Sequence, residues 1–450
     1  MSPQPVSLAE AARFWAQLGW VSFGGPAGQI ALLQRELVER RRWLSERRYL
    51  HALNYCMLLP GPEATQLATY LGWLMHGIPG GLIAGGLFLI PSVVVLTALS
   101  TIYALWGQLP LLASMFAVLK PTVLAIVLMA AWRVGRRTLR TPLLRVLAAA
   151  AFVALVVFNT PYPWVVAVAA LTGWLAGRLR PGWINKPAAH TAGPSSATAG
   201  NQPEAEARDF IHGDDSPTPD HGQVSRRQLA LTLLAWGAAT AAPLAVLVAA
   251  GGWNSTLAVM ARFFSRVALL SFGGAYAVLP YVAQGAVEQF GWLNASQMLD
   301  GLALGETTPG PLIMVVAFVG FMGGWSSALP GGPGSWLAAA AATLVTVWFT
   351  FVPSFGFILA GAPLVEASRD NLRLGAPLTA ITAAVVGVIA SLAALFAAPV
   401  LWPGGSLSWG GALVVALALW AQLKLHWGVL PLIGAAAAAG GLLQLIRTAT

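Results

Sequence analysis

Long apolar runs constrain this chain more than any other feature of its sequence. Two of them, Leu82–Trp106 and Leu229–Gly251, exceed the roughly 20 residues that a helix needs to cross a bilayer. Only 9% of the 450 residues are charged, whereas soluble domains have about 25%. The sequence therefore predicts an all-α polytopic membrane protein, and it excludes a soluble enzyme, a fibrous protein and a disordered chain.

One polar tract interrupts the apolar pattern. Residues 181–225 are rich in Pro, Ala, Ser, Gly and Thr and hold six of the 16 acidic residues, which is typical of a flexible linker. His190, His212 and His221 lie in this tract near Asp residues, and we interpret them as solvated side chains rather than as metal ligands. The tract separates a first membrane block, 1–180, from a second, 226–450.

The two blocks are related by an internal duplication. Chance similarity between apolar segments matches Leu and Ala, whereas these blocks share Arg, Trp and Pro-Gly-Pro at a constant offset of 249 positions. A later Pro-Ser pair matches at an offset of 262, so that 323–335 is interpreted as a 13-residue insertion. Internal duplication is the architecture of many secondary transporters. The matching motifs are ARF (12–14 and 261–263), SFGG (22–25 and 271–274), WL (43–44 and 292–293), PGP (60–62 and 309–311) and PS (91–92 and 353–354).

The charges of the loops predict that the two halves are inverted. Residues 34–49 hold six Arg, whereas the equivalent residues 283–298 hold neither Arg nor Lys. Because cytoplasmic loops are enriched in Lys and Arg, the first loop is expected inside and its counterpart outside. The apolar segment Leu229–Gly251, which has no equivalent in the first half, would supply the extra crossing.

Two segments of the first half are expected to be broken helices. Residues 34–49 and the Arg-rich 133–145 both favour the cytoplasm, yet three apolar segments separate them, so one is not a simple span. Leu50–Gly77 contains Pro-Gly-Pro, which stops a helix, and Ala11–Val38 is interrupted at 23–26. We interpret both, and their counterparts near Gly273 and Gly310, as discontinuous helices or re-entrant hairpins. The alternative is that every segment spans and the charge rule is weakly obeyed.

Broken helices matter because irregular backbone at membrane depth lines protein or a polar cavity. A half-helix that starts with Pro presents free N–H groups and a positive dipole end, which together form an anion site. The alternative is that Gly and Pro only allow kinks and close packing. The candidate substrate contacts at and near the breaks are Ser22, Phe23, Gly24, Gly25, Gln29, Pro60, Gly61, Pro62, Gln66, Ser271, Gly273, Gly274, Thr307, Thr308, Pro309, Gly310 and Pro311.

Ionisable residues inside apolar segments are costly and are usually functional. Arg13 and Arg262 are equivalent in the repeat, and their forked donors suit a tetrahedral oxyanion, although each could instead reach the membrane interface. Lys120 is a third candidate, in the cavity or at its mouth. Glu63 and Glu306 flank the two PGP motifs and are candidates for proton coupling; the alternative is a structural role, with Glu63 at a helix N-terminus and Glu306 paired with Arg.

Nothing in the sequence predicts an enzyme. It contains no nucleotide P-loop and no His/Cys cluster with metal-ligand spacing in the membrane blocks, and Cys56 is the one cysteine. We therefore expect no cofactor, no metal and no nucleic-acid partner, and the lipid bilayer as the surroundings. The N-terminus lacks a basic signal-peptide region, so the first apolar segment is expected to remain in the mature protein.

Taken together, the motifs 23–26, 43–44, 58–73, 120–121, 271–274 and 305–312 resemble those of the chromate ion transporter family, in its long form with two homologous halves of opposite orientation. The resemblance covers nearly the whole chain except 181–225. It implies proton-driven efflux of chromate across the bacterial inner membrane, with chromate resistance as the outcome and sulfate as a competing ligand. A carrier of sulfate or another oxyanion, an uncoupled anion channel and a membrane scaffold are the alternatives, and the sequence does not indicate an oligomeric state.

Overall fold

The computed structural model describes residues 6–179, 210–213, 220–222, 225–272, 274–327, 329, 331–367 and 375–449. Within them the chain is helical, with irregular connections and an isolated backbone bridge between Leu44 and His212. The helices of the first block are α1 (Leu8–Val21), α2 (Gly25–Gln34), α3 (Glu46–Cys56), α4 (Glu63–Trp106), α5 (Pro110–Thr138), α6 (Pro142–Val156) and α7 (Tyr162–Leu179).

The second block repeats this order of helices. α8 (Arg226–Gly251) comes first and has no counterpart in the first block. The helices that follow are α9 (Thr256–Leu270), α10 (Ala275–Ala283), α11 (Ala295–Thr307), α12 (Val315–Ser326), α13 (Trp336–Ala367), α14 (Gly375–Leu401), α15 (Trp409–Lys424) and α16 (Val429–Ala449). At the predicted offset, α9, α10 and α11 are the counterparts of α1, α2 and α3. The fold class predicted from the sequence, a two-half all-α membrane protein, is confirmed.

The duplication extends to irregular backbone. A single π-helical turn follows α2 at Arg35–Arg40, and another follows α10 at Gln284–Gln289. In each, a backbone N–H reaches the carbonyl five residues earlier: Arg41 to Glu36 at 3.1 Å and Phe290 to Gly285 at 2.9 Å. Such turns are rare and usually occur at functional sites, so their shared position supports a common origin for the two halves.

The insertion separates two helices that are continuous in the first half. α4 has 44 residues and a kink at His76 and Gly77, where the backbone is not helical. At the equivalent place in the second half, α12 ends and α13 begins ten residues later, so α12 and α13 together correspond to α4. The connection starts after Ser326 rather than at 323, because Gly323 and Gly324 remain in α12; side chains there would collide with Met260 and with the backbone of Ala338.

The helix breaks expected near residues 23–26 and 60–62 are confirmed. α1 and α2 are separated at 22–24, and α3 and α4 at 57–62. The break between α3 and α4 forms the tip of a hairpin, which α3 enters and the first arm of α4, up to the kink, leaves. The break between α1 and α2 is a turn between two consecutive helices. The turn between α1 and α2 recurs between α9 and α10, and the hairpin of α3 with α4 recurs in α11 with α12. We call the four breaks the hairpin tips.

The hairpins of the two halves open towards opposite ends of the bundle. At one end, Arg48 of α3 meets Glu366 at the end of α13, with the nearest charged atoms 3.7 Å apart. At the other end, Trp336 begins α13, just after α12, and donates to Thr101 near the end of α4 at 3.1 Å. The 30 residues of α13 between these contacts span roughly 45 Å. The geometry is therefore that of an inverted repeat.

In the described part of the chain, six helices are long and apolar enough to cross a membrane: α4, α5, α8, most of α13, most of α14 and α16. The extra helix α8 lies at the periphery, where none of its apolar window is buried and Trp348 of α13 donates to the Ala239 carbonyl at 2.9 Å. Its position agrees with an added crossing between two otherwise similar halves.

The described part of the polar tract is packed, which differs from the solvated placement expected for His212 and His221. Phe210 and Ile211 contact the apolar core of the first half, and the backbone of His212 pairs with Trp43 and Ser45. A ring nitrogen of His221 lies 2.9 Å from the Trp73 carbonyl. The segment docks because Phe210 and Ile211 pack against the apolar core while the backbone of residues 42–45 offers hydrogen-bond partners. His190 and Asp214 lie outside the described residues.

Candidate functional site

The four hairpin tips meet, and they are joined across the two halves by reciprocal backbone hydrogen bonds. Gly61 donates its N–H to the carbonyl of Ser271 at 2.8 Å, and Gly310 donates to the carbonyl of Ser22, also at 2.8 Å. Because the flanking prolines have no N–H, the glycine supplies the one backbone donor of each PGP motif. Each PGP tip is thus bound to the SFGG break of the other half.

The close approach of the tips requires glycine. Gly61 has φ +135° and Gly310 has φ +103°, a backbone conformation that other residues rarely adopt. A Cβ atom at Gly61 would overlap the hydroxyl of Ser354, and one at Gly310 would overlap the hydroxyl of Ser92. These serines are the repeated PS pair. Neither serine was among the site residues predicted from the sequence, although the repetition of the pair within apolar helices was a usable signal.

The half-helices that begin at the tips have free N-termini. α2, α4 and α10 have no side-chain cap at their first residues. The space beside Gly25 is open to 4 Å, and beside Gly274 it contains only the Glu63 carboxylate, whose Oε1 lies 4.0 Å from the position of a Cβ atom. The first N–H groups of a helix attract anions when no side chain satisfies them, so the tips can hold an oxyanion.

Buried polar groups without partners surround the tips. Among the described residues, the hydroxyls of Ser271 and Ser354 and the amide oxygens of Gln29 and Gln66 have no hydrogen-bond partner, and all four side chains are at most 2% exposed. The glutamine NH2 groups are occupied, Gln29 by the Ser22 carbonyl at 3.2 Å and Gln66 by the Pro60 carbonyl at 2.8 Å. The hydroxyls can donate to an oxyanion, and the amide oxygens can accept from water or from a protonated group.

The carboxylates of Glu63 and Glu306 both lie near the first turn of α10, but their surroundings differ. Tyr276, in the first turn of α10, donates to Glu306 at 2.5 Å. Glu63 is partly exposed beside Gly274 and has no hydrogen bond or ion pair to any described residue. The duplication does not preserve these groups, because Leu312 stands at the position equivalent to Glu63. The acidic side chains therefore distinguish the two pseudo-equivalent sites. Tyr276 was missed in the sequence analysis.

The three predicted cations do not line the tips. Arg13 is exposed on α1. The guanidinium of Arg262 donates to the Trp253 carbonyl at 2.7 Å and lies 4.1 Å over the Trp253 ring, which is the geometry of an interfacial anchor. The ammonium of Lys120 lies 3.4 Å from Asp300 of the second half. These contacts favour the interfacial and structural alternatives over direct contact with an anion.

The remaining candidates are backbone elements of the tips or side chains that bond to their own helix. Thr307 donates to the Leu304 carbonyl at 2.8 Å and Thr308 to the Gly305 carbonyl at 2.9 Å. Gly273 lies outside the described residues. Among the described residues, no group of His, Cys, Asp and Glu is arranged to hold a metal ion. The candidates that belong to the backbone of the tips are Phe23, Gly24, Pro60, Pro62, Pro309 and Pro311.

Comparison with known proteins gives the same division of the chain. A family model described as chromate transporter matches residues 9–174 and 258–442, one match in each half. A chromate transport protein of Pseudomonas aeruginosa is 32% identical over 391 residues, which cover 86% of this chain and 80% of that protein. A probable chromate transport protein of Synechococcus elongatus is 27% identical, with 85% and 83% covered, and a chromate transport protein of Cupriavidus metallidurans is 26% identical, with 85% and 81% covered. No solved structure matches the chain.

Proposed function

This chain belongs to the chromate transporter family, and from that premise we propose that it exports chromate across the bacterial inner membrane, driven by the proton gradient and conferring chromate resistance. It is embedded in the membrane through several apolar helices. Chromate is a tetrahedral oxyanion, and the proposed binding site is the meeting point of the four hairpin tips.

The observation that carries the proposal is the reciprocal joining of the tips by Gly61 with Ser271 and Gly310 with Ser22. It brings the free N-termini of half-helices from both halves to one place, where backbone N–H groups favour an anion. Discontinuous helices that aim their N-termini at an anionic substrate near the membrane midplane are a recurring device of transporters with inverted repeats. The hydroxyls of Ser271 and Ser354 add two donors that have no partner among the described residues.

Uncharged hydrogen-bond donors suit a transport site, because the anion must be released from it as well as bound. A site built from backbone N–H groups and hydroxyls replaces the hydration of the oxyanion without a fixed full charge. A bidentate Arg contact would instead add a strong charge-assisted bond. This favours a carrier that binds and releases within each cycle. Sulfate, another tetrahedral oxyanion, is the expected competitor.

Glu63 is the proposed point of coupling to protons. Its carboxylate lies at the N-terminus of α4 and faces Gly274 at the N-terminus of α10. A charged carboxylate and an oxyanion would compete for the same N–H groups, so protonation of Glu63 would favour binding of the oxyanion. A dianion that leaves with one proton still carries one net negative charge outward, so the electrical component of the proton gradient, with the cell interior negative, drives its export. Glu306, held by Tyr276 at 2.5 Å, is the second candidate for carrying a proton. An uncoupled channel would use the same tips without this competition.

Chromate uptake into everted membrane vesicles tests the proposal. We expect saturable uptake in energised vesicles, lost on addition of an uncoupler and inhibited by sulfate. Gly86→Ala should take up chromate as the wild type does, because this membrane glycine has open space beside it, and it serves as the control for substitutions of the tip glycines. Uptake that ignores the uncoupler and does not saturate would replace the carrier by a channel. No chromate flux in either mode would end the proposal.

A further inference from the structure

Two buried polar clusters join the two halves away from the hairpin tips. In the first, which we call cluster A, Arg48 of α3 approaches Glu366 of α13 at 3.7 Å, and Tyr70 of α4 donates to the same carboxylate at 2.6 Å. The side chains of Arg48 and Glu366 are 8% and 4% exposed. The acid belongs to the second half, and the base and the tyrosine belong to the first.

The second cluster, which we call cluster B, also combines one acid, one base and one tyrosine. Lys120 of α5 lies 3.4 Å from Asp300 of α11, and Tyr103 of α4 donates to the same carboxylate oxygen at 2.8 Å. The side chain of Asp300 is 3% exposed, and that of Lys120 is 28% exposed. Again one acid of the second half meets a base and a tyrosine of the first half. Neither Asp300 nor Glu366 was singled out by the sequence, since the repeat places His51 and Ala104 at the equivalent positions.

The two clusters are related by the duplication, although their residues are not. Arg48 lies on α3 and Asp300 on its counterpart α11. Each of these helices enters a hairpin tip, and each meets the far end of a long helix of the other half: α13 at Glu366 and α4 at Tyr103. Because the hairpins open towards opposite ends of the bundle, cluster A and cluster B lie on opposite sides of the tips.

We infer that clusters A and B are positioning groups that hold the halves together on either side of the transport site, so that the site opens to one side only when one cluster breaks and the other holds. The inference rests on the proposed transport function. Both clusters are formed together in this structure, in which the side chain of Ser271 at the tips is 1% exposed. A buried carboxylate that loses its cation is costly. Simultaneous rupture of both clusters is therefore strongly disfavoured.

Cluster A carries an additional element. Residues 210–213 of the polar tract pair with the backbone of residues 42–45, next to Arg48. Opening at this end must move that segment as well as break the pair of Arg48 with Glu366. The positive-inside prediction assigns this end to the cytoplasm, where chromate for export would enter.

Cysteine labelling from each side of the membrane tests the inference. In a Cys56→Ser background, Ser271→Cys places a thiol at a hairpin tip, where the side chain is 1% exposed while both clusters are formed. A membrane-impermeant maleimide is applied to intact cells and to everted vesicles. We expect Glu366→Gln to raise the labelling rate about threefold to tenfold in everted vesicles only, and Asp300→Asn to raise it by a similar factor in intact cells only.

The controls separate positioning from folding. Tyr70→Phe and Tyr103→Phe each remove one hydroxyl and keep the shape, and they should give smaller shifts to the same sides as Glu366→Gln and Asp300→Asn. Glu46→Gln, an exposed acid on α3, should change nothing. Increases on the same side, increases on both sides, or no change in the correctly folded Tyr→Phe pair would overturn the inference. Labelling needs no substrate, so it can be measured even if the protein does not transport chromate. A lack of chromate flux would therefore contradict the proposed function without deciding the inference about the clusters.

Discussion

The backbone N–H of Gly61 donates to the carbonyl oxygen of Ser271 at 2.8 Å, although the two residues belong to different halves of the chain. The reciprocal bond, from Gly310 to Ser22, has the same length. The tips therefore move as linked pairs, and a displacement of one half is transmitted to the helix N-termini of the other.

We expect Gly61→Ala and Gly310→Ala to lose most chromate transport while the protein is still inserted. A methyl group would collide with Ser354 or with Ser92, and overpacking of a tight site costs about 1–3 kcal/mol. Vesicle uptake at matched protein level measures the effect, with Gly86→Ala as the control. Wild-type uptake by either tip variant would show that the tips tolerate separation.

We expect Glu63→Gln to remove most of the pH dependence of chromate binding. In the wild type, binding should weaken as the pH rises, because a charged Glu63 competes for the N-terminus of α10. Calorimetric titration of the purified protein with chromate across the pH range measures this. Leu312→Gln, at the repeat-equivalent position, is the matched control. An unchanged pH profile in Glu63→Gln would remove this residue from proton coupling.

Docking of the segment around His212 should weaken in acid. Burial, and to a lesser degree the charge of Arg48, lowers the pKa of His212 from 6.5 to about 4, with Glu366 opposing and His221 and His76 adding to the shift. The docked state therefore favours the neutral ring. Its docking is complete above pH 6.5 and is progressively lost as the pH falls from 6.5 towards 4.

Hydrogen exchange of the His212 and Ser45 amides, which donate in the bridge to residues 42–45, reports this docking. Faster exchange below pH 6, after correction for the intrinsic rate, is expected in the wild type. His212→Gln should exchange with no such pH dependence. A wild type that shows the same protection at pH 5 and pH 7.5 would contradict the assigned role of the ring.

Glu39 and Glu288 occupy equivalent positions in the repeat and both are exposed. Inverted halves predict that a cysteine at Glu39 is labelled from the cytoplasmic side and one at Glu288 from the outside. Impermeant thiol reagents on intact cells and on everted vesicles, in the Cys56→Ser background, measure the sidedness. Labelling of both positions from one side would mean that the halves are parallel in the membrane.

Much of the fold was predictable because its signals are local. Apolar length determines which segments can cross a bilayer, and Pro, which lacks an N–H group, determines where a helix must stop. The breaks at 22–25 and 60–62 followed from these rules, and the offset of 249 extended them to the second half. The start of the insertion was predicted four residues before the connection begins, because the packing that keeps Gly323 and Gly324 helical is not a local signal.

Only the tertiary structure determined which residues meet. Arg13, Arg262 and Lys120 are all cations within or beside apolar segments, and the sequence offered no means of ranking them. The structure leaves Arg13 exposed, binds Arg262 to Trp253 and pairs Lys120 with a residue 180 positions away. Likewise the contacts of Gly61 with Ser271 and Ser354 join distant parts of the chain. Sequence spacing along one helix specifies its faces, whereas the partner of each face is decided by how the halves dock.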